Sequence, residues 1–125
     1  MQTLLRLLPH ATALEKMVPG GPLMLTSSED FKLFPGETKL FATGVVAAVP
    51  RGVALMVRSH HDLVTKAGIF VTTGVMLIDR SCRDEIIIPL SNLGKRSYEV
   101  SRGEVIAVGS PMSTLDVPFV LLPEV

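Results

Sequence analysis

"GVMLIDRSCRDEIIIPLSN", residues 74–92, sets Asp79, Arg80, Arg83, Asp84 and Glu85 between two apolar runs of strand length. Apolar flanks around a charged centre predict a hairpin with buried arms and a wet tip. The run "EIIIPL" reads as a strand buried on both faces. Pro89 inside it demands a sheet edge or a bulge, because proline has no N–H to give to a ladder. The charged tip is then either an ordinary solvated turn or an anion or nucleotide site.

Outward from this stretch the same texture continues. Nine prolines and ten glycines divide the chain into short pieces rich in Val, Ile, Leu, Phe and Thr: "PLMLTS", "FKLF", "TKLFATGVVAAVP", "VALMVRS", "GIFVTTGVMLID", "RSYEV" and "EVIAVGS". The intervening "PGE", "PRG", "NLGK" and "SRGE" are turn signals. Only "HHDLVTKA", residues 60–67, reads as a helix, of two turns at most. Many short strands at regular spacing predict an all-β sandwich or barrel. Most of the five phenylalanines are expected in its core. Residues 1–125 are expected to form a single domain, with 111–125 as an extended C-terminal arm too apolar to float free.

Composition narrows the function. Twelve basic and twelve acidic residues cancel, which argues against broad capture of nucleic acid by charge. No apolar run approaches the length of a membrane helix, so neither nucleic acid nor membrane is an expected partner. The single cysteine, Cys82, rules out an internal disulfide and suits a reducing compartment. The start "MQTLLRLLPHATALEK" is interrupted by Arg6 and ended by Pro9, too short for a secretory leader. A cytoplasmic protein is expected. A hydrophobic fraction of 47% is high for a small monomer, so part of it is assigned to an oligomer interface.

Two polar constellations carry candidate chemistry. In "MVRSHHDL", Arg58 and Ser59 close an apolar strand, and a forked guanidinium beside a small hydroxyl suits a phosphate. His60 and His61 follow, with a base or a phosphate within their chemistry. Adjacent histidines rarely chelate one ion from one loop, and no partner shows zinc spacing, so no metal site is predicted. Asp79 ends an apolar strand four residues before Arg83. It can act as a general base on water or pair with Arg83 across the turn. For both constellations a solvated loop is the competing explanation.

The order of these pieces resembles the trimeric dUTPase family. The resemblance runs from "LPHAT" through "LFPGETKLFATGVVAAVP", "RS", "GIFVTTGVMLID" and Asn92 to "RGEVIA". It implies a jelly-roll β-barrel and a homotrimer with sites between subunits. The implied activity is hydrolysis of dUTP to dUMP and pyrophosphate, with Mg2+ on the phosphates. By the same resemblance Arg58 and Ser59 touch phosphates, Asp79 orients water and the sugar hydroxyl, and Arg83 matches the arginine beyond it. Departures are Met24 or Leu25 at the family's acidic first-motif position, His60 for glycine, Cys82 for the stacking tyrosine and Val108 for glutamine. The family's glycine-rich closing arm has no counterpart in "LLPEV". The related dCTP deaminases are excluded, since their catalytic glutamate falls near Pro89.

The expectation is therefore a viral or phage-encoded dUTPase-like protein that binds a nucleotide or phosphorylated ligand at trimer interfaces, with little or no hydrolysis. Arg58, Ser59, His60, Asp79 and Arg83 hold the ligand, and Asp79 is catalytic only if the protein is active. The use is sequestration or sensing, in the host cytoplasm if viral. The alternatives are an active dUTP diphosphatase and a non-catalytic module that recruits a host protein.

Overall fold

The computed structural model describes residues 3–12 and 21–124. Part of the leader-like opening and the last residue of the expected arm lie outside the described residues. Among the described residues, eleven strands and one short helix follow in the order β1 (Leu4–Leu7), β2 (Leu23–Thr26), β3 (Phe31–Leu33), β4 (Thr38–Ala42), β5 (Val45–Ala48), β6 (Val53–Ser59), α1 (His61–Ala67), β7 (Ile69–Val71), β8 (Val75–Ile78), β9 (Ile87–Asn92), β10 (Tyr98–Val100) and β11 (Val105–Ser113).

All pairings are antiparallel, in sheets β1-β5, β10-β3, β2-β11-β6-β8 and β4-β9-β7. The sheets close around one core, as the all-β jelly-roll expectation requires. Leu25, Val57 and Ile106 enter it from the four-stranded sheet, Phe41, Ile69, Ile88 and Leu90 from the three-stranded one, and Leu33 and Val100 from β3 and β10. Period-two alternation puts these side chains inside and their neighbours outside. No helix among the described residues is long and apolar enough to cross a membrane.

Four details differ from the sequence expectation or refine it. The arms of residues 74–92 do not pair with each other: β8 pairs with β6, and β9 pairs with β4 and β7. The charged stretch is a crossover between sheets, drawn away from β8 where the Ile86 N–H donates to the Val45 carbonyl at 2.8 Å. Pro89 sits one residue past the end of the β7 ladder, which stops at Val71 opposite Leu90, and its carbonyl still accepts the Thr72 N–H at 2.9 Å. Of the phenylalanines, Phe41 is buried and Phe31 packs edge-on against it at 5.2 Å, but Phe34, Phe70 and Phe119 are exposed. Local sequence marks them as apolar without marking which face they occupy. Finally, β11 continues to Ser113, so the extended C-terminal stretch starts at Thr114. Along it Leu115, Val117, Phe119, Val120, Leu121 and Leu122 are exposed.

Candidate functional site

β6 carries the first constellation, and its two ladders fix where each side chain points. Arg58 lies opposite Val108 of β11 and opposite Val75 of β8, while Val108 lies opposite Met24 of β2. Directly opposed residues of an antiparallel pair share a face. Met24, Val108, Arg58 and Val75 therefore form one row across four strands. The next row, Gly109, Val57 and Met76, turns to the core, and the one after it, Ser110, Met56 and Leu77, turns outward again. Exposure agrees at the β6–β8 end of the rows, where Val57 is 0% exposed, Val75 50% and Leu77 60%, but Val108, though on the outward side of β11, is covered and only 4% exposed. Leu25 is inside the core, so Met24 holds the outward position in β2. In these outward rows Arg58 is the one charged side chain, and it has no ion-pair partner among the described residues.

Ser59 and His60 do not join Arg58 on that face. Ser59 points the other way, and its Oγ accepts the Val71 N–H at 2.9 Å, tying β6 to β7. His60 stands at the N-cap of α1 without a side-chain capping bond. Its Nδ1 is buried and unpartnered among the described residues. It lines a groove of about 870 Å³ between α1 and residues 94–98, with Lys66, Lys95 and Arg96 nearby and Arg58 absent.

Asp79 follows β8 at the far end of the same ladder. It lies four residues from Val75, the partner of Arg58. At about 3.3 Å per residue the two are separated by roughly 13 Å along the sheet. A tight turn holds the Asp79 carboxylate: the Cys82 N–H donates to the Asp79 carbonyl at 3.0 Å, and the Ser81 N–H donates to Oδ1 at 2.9 Å. The Ser81 hydroxyl also donates to Oδ1. That hydroxyl bond and then the backbone bond hold the exposed carboxyl below its ordinary pKa, so it is ionised at neutral pH. Arg83 forms no ion pair with Asp79. It lines a shallow groove with Arg6 and Cys82 instead.

Sequence reading missed the supports of this tip. Glu85 Oε2 lies 2.8 Å from His10 Nε2 and accepts the Gly44 N–H at 2.7 Å. Gly44 has φ 72°, and a Cβ there would meet Ala11 at 2.7 Å. The turn therefore requires glycine, and it presents its N–H to Glu85. Burial opposes ionisation of Glu85, but bonds from His10 and Gly44 outweigh it and hold the pKa down. Glu104, in the "RGEVIA" turn, is structural: it accepts the Tyr98 hydroxyl and the Ser101 N–H. No local pattern announces the Glu85 contacts, because its partners are 75 and 41 residues away. The described residues contain no group of three His, Cys, Asp or Glu side chains able to hold a metal ion.

The family model for dUTPase matches residues 23–108. The deoxyuridine 5'-triphosphate nucleotidohydrolase of Chlamydia muridarum is 33% identical over 88 residues, covering 70% of this chain and 61% of the relative. That of Neorickettsia sennetsu is 33% identical over 107 residues, covering 81% and 72%. The chain thus spans about 61% of the length of the Chlamydia relative. Among solved structures, the dUTPase from phage phi11 of S. aureus superposes with a TM-score of 0.84 at 15% identity, covering 100% of this chain and 98% of that one. A point mutant of the phi11 enzyme, described as coordinating a structural Mg(II) ion, gives 0.85 at 15% identity. At such identity the likeness concerns the fold.

Proposed function

Because the chain belongs to the dUTPase family, we propose that it binds a uracil-type nucleotide between subunits of a homotrimer and hydrolyses it slowly or not at all. The observation that carries this reading is the placement of Arg58 and Asp79 at opposite ends of the β6–β8 ladder. A phosphate on Arg58 and a sugar on Asp79 are most simply joined when a second copy brings its own tip to the first copy's row. Apolar side chains left bare on one chain, including Leu40, Val75 and Leu77, provide surface for such an assembly. Ser59 fixes the backbone behind Arg58. His60 and Arg83 line separate grooves outside this row.

Slow hydrolysis follows from the row itself. Met24 and Val108 supply no charge or hydrogen bond beside Arg58, and a single well-placed donor is commonly worth about 3 kcal/mol in a transition state. A second reading, an active dUTP nucleotidohydrolase, is favoured by Asp79, exposed and ionised on a hydrogen-bonded turn.

Calorimetry with dUMP on Arg58→Ala and Asp79→Asn tests the shared site. Each variant alone should lose binding. Co-assembled at equal amounts they should recover about a quarter of the sites, the fraction in which an intact Arg58 meets an intact Asp79. No recovery, or binding by both single variants, removes the shared site. Rapid pyrophosphate release from dUTP by the unaltered protein selects the second reading.

A further inference from the structure

The groove beside α1 gathers cations that nothing within the chain engages. At the end of α1, Gly68 has φ 69°, and a Cβ there would meet the Gly94 nitrogen at 2.9 Å. The Leu93 N–H donates to the Gly68 carbonyl at 2.9 Å. Buried Asn92 pins the same loop, accepting the Gly94 N–H at 2.9 Å and donating to the Arg96 carbonyl at 2.8 Å. Lys66 stands two residues before the first of these glycines, and Lys95 and Arg96 directly follow the second. The backbone contact therefore brings three exposed cations to one groove from two elements. None has an ion-pair partner among the described residues.

The two carboxylates of the groove do not answer them. Glu104 is taken up by the Tyr98 hydroxyl and the Ser101 N–H. Asp62 is exposed in the first turn of α1, about 6 Å along the axis from Lys66, and the two do not pair. The groove thus runs from one carboxylate at the start of the helix to three cations at its end. Half-buried Val64 and Val105 and the exposed Ser97 also line it.

Size and lining select the ligand. About 870 Å³ far exceeds one phosphate and lies within the range of about 300–1,000 Å³ typical of ligand clefts. Nucleic acid fits poorly, because the chain carries no net charge and Tyr98 is the one aromatic side chain in the lining. A peptide with carboxylates supplies anions for the three cations, apolar groups for Val64 and Val105, and backbone partners for Ser97. Charged residues are depleted from the centres of protein contacts between subunits. The bare Leu40, Val75 and Leu77 offered for self-assembly lie on the sheets, not on this rim.

We propose that the groove between α1 and residues 94–98 docks an acidic peptide segment of a partner protein, with its carboxylates on Lys66, Lys95 and Arg96. The proposal makes no use of the Arg58 row. Fluorescence anisotropy of a labelled oligoglutamate peptide, titrated with the intact protein at low salt, tests it against an oligoglutamine peptide of equal length. The glutamate peptide should bind, and more weakly as salt rises, while the glutamine peptide should not. Lys95→Glu with Arg96→Glu should lower the affinity by about fivefold or more, the worth of two exposed pairs. Lys66→Glu repeats the reading from the helix. Asp62→Asn should tighten binding by removing a like charge, a result that damage to the fold does not imitate. Equal binding of the two peptides overturns the proposal, as does parental affinity in the charge reversals with parental circular dichroism. Displacement of the peptide by equimolar inorganic pyrophosphate assigns the cations to a small oxyanion and overturns it. Tighter binding of a single-stranded oligonucleotide assigns them to nucleic acid, and peptide binding seen only on dilution assigns the groove to a second copy of the chain; each overturns it too.

Discussion

Replacement of Asn92 by Asp tests the packing that joins β9 to its neighbours. Asn92 is fully buried. Its Nδ2 donates to the Leu33 carbonyl at 2.9 Å and to the Arg96 carbonyl at 2.8 Å, and its Oδ1 accepts the Gly94 N–H at 2.9 Å. Asn92→Asp keeps the shape and removes both donors. It also sets a carboxylate oxygen against two carbonyl oxygens out of water. Two lost bonds at about 1 kcal/mol each, plus the penalty for an unpaired buried charge, give about 3–5 kcal/mol at neutral pH. That is a large part of the 5–15 kcal/mol typical of a whole domain. Burial against carbonyls raises the folded-state pKa of the new carboxyl above its unfolded value of about 3.9. The variant is then least impaired below that unfolded value and loses stability as pH rises through the folded one. Urea denaturation followed by circular dichroism, at one protein concentration and paired with the parent at pH 7 and pH 5, reads both effects. A loss under about 1 kcal/mol at pH 7, or a deficit that deepens on acidification, refutes the assignment of these bonds.

Two further perturbations follow from titrating groups. Tyr98 is the only tyrosine and tryptophan is absent, so its ultraviolet titration is unobstructed. Burial first, then its bond to Glu104, pushes its pKa up to about 12. Stability is therefore full below the ordinary value near 10 and declines between about pH 10 and 12; tyrosinate absorbance rising at pH 10 in the folded protein contradicts the contact. Glu85 has the opposite sign. Its lowered pKa contributes stability above the ordinary carboxylate range that is lost as pH falls through the folded value. Glu85→Gln should flatten that acid limb in a urea-midpoint profile, and an unchanged profile would assign the acid sensitivity to other groups.

Much of the fold was legible because strands announce themselves locally. The pieces "VALMVRS", "EIIIPLSN" and "EVIAVGS" became β6, β9 and β11, and "HHDLVTKA" supplied α1. β1 escaped notice, since "LLRLL" reads as a truncated leader until its partner β5 is known. The supposed hairpin failed for a related reason: which strands pair depends on contacts distant in sequence, and β8 and β9 each found older neighbours in the chain. Of the site, Arg58 and Asp79 were readable as residue types on strand ends. The opposite orientation of Ser59 and the alignment of Met24 with Val108 required the register of three ladders. That Met24 rather than Leu25 faces outward was likewise readable only from burial, which sequence alternation alone left open.

On the proposed shared site, the distance between Arg58 and Asp79 along one chain would also govern how the protein responds to its own abundance. If neither residue can complete a cleft alone, occupancy obeys mass action twice, once in nucleotide and once in subunit. Dilution would then dismantle the receptor before it emptied it, and the ligand in turn would drive the subunits together.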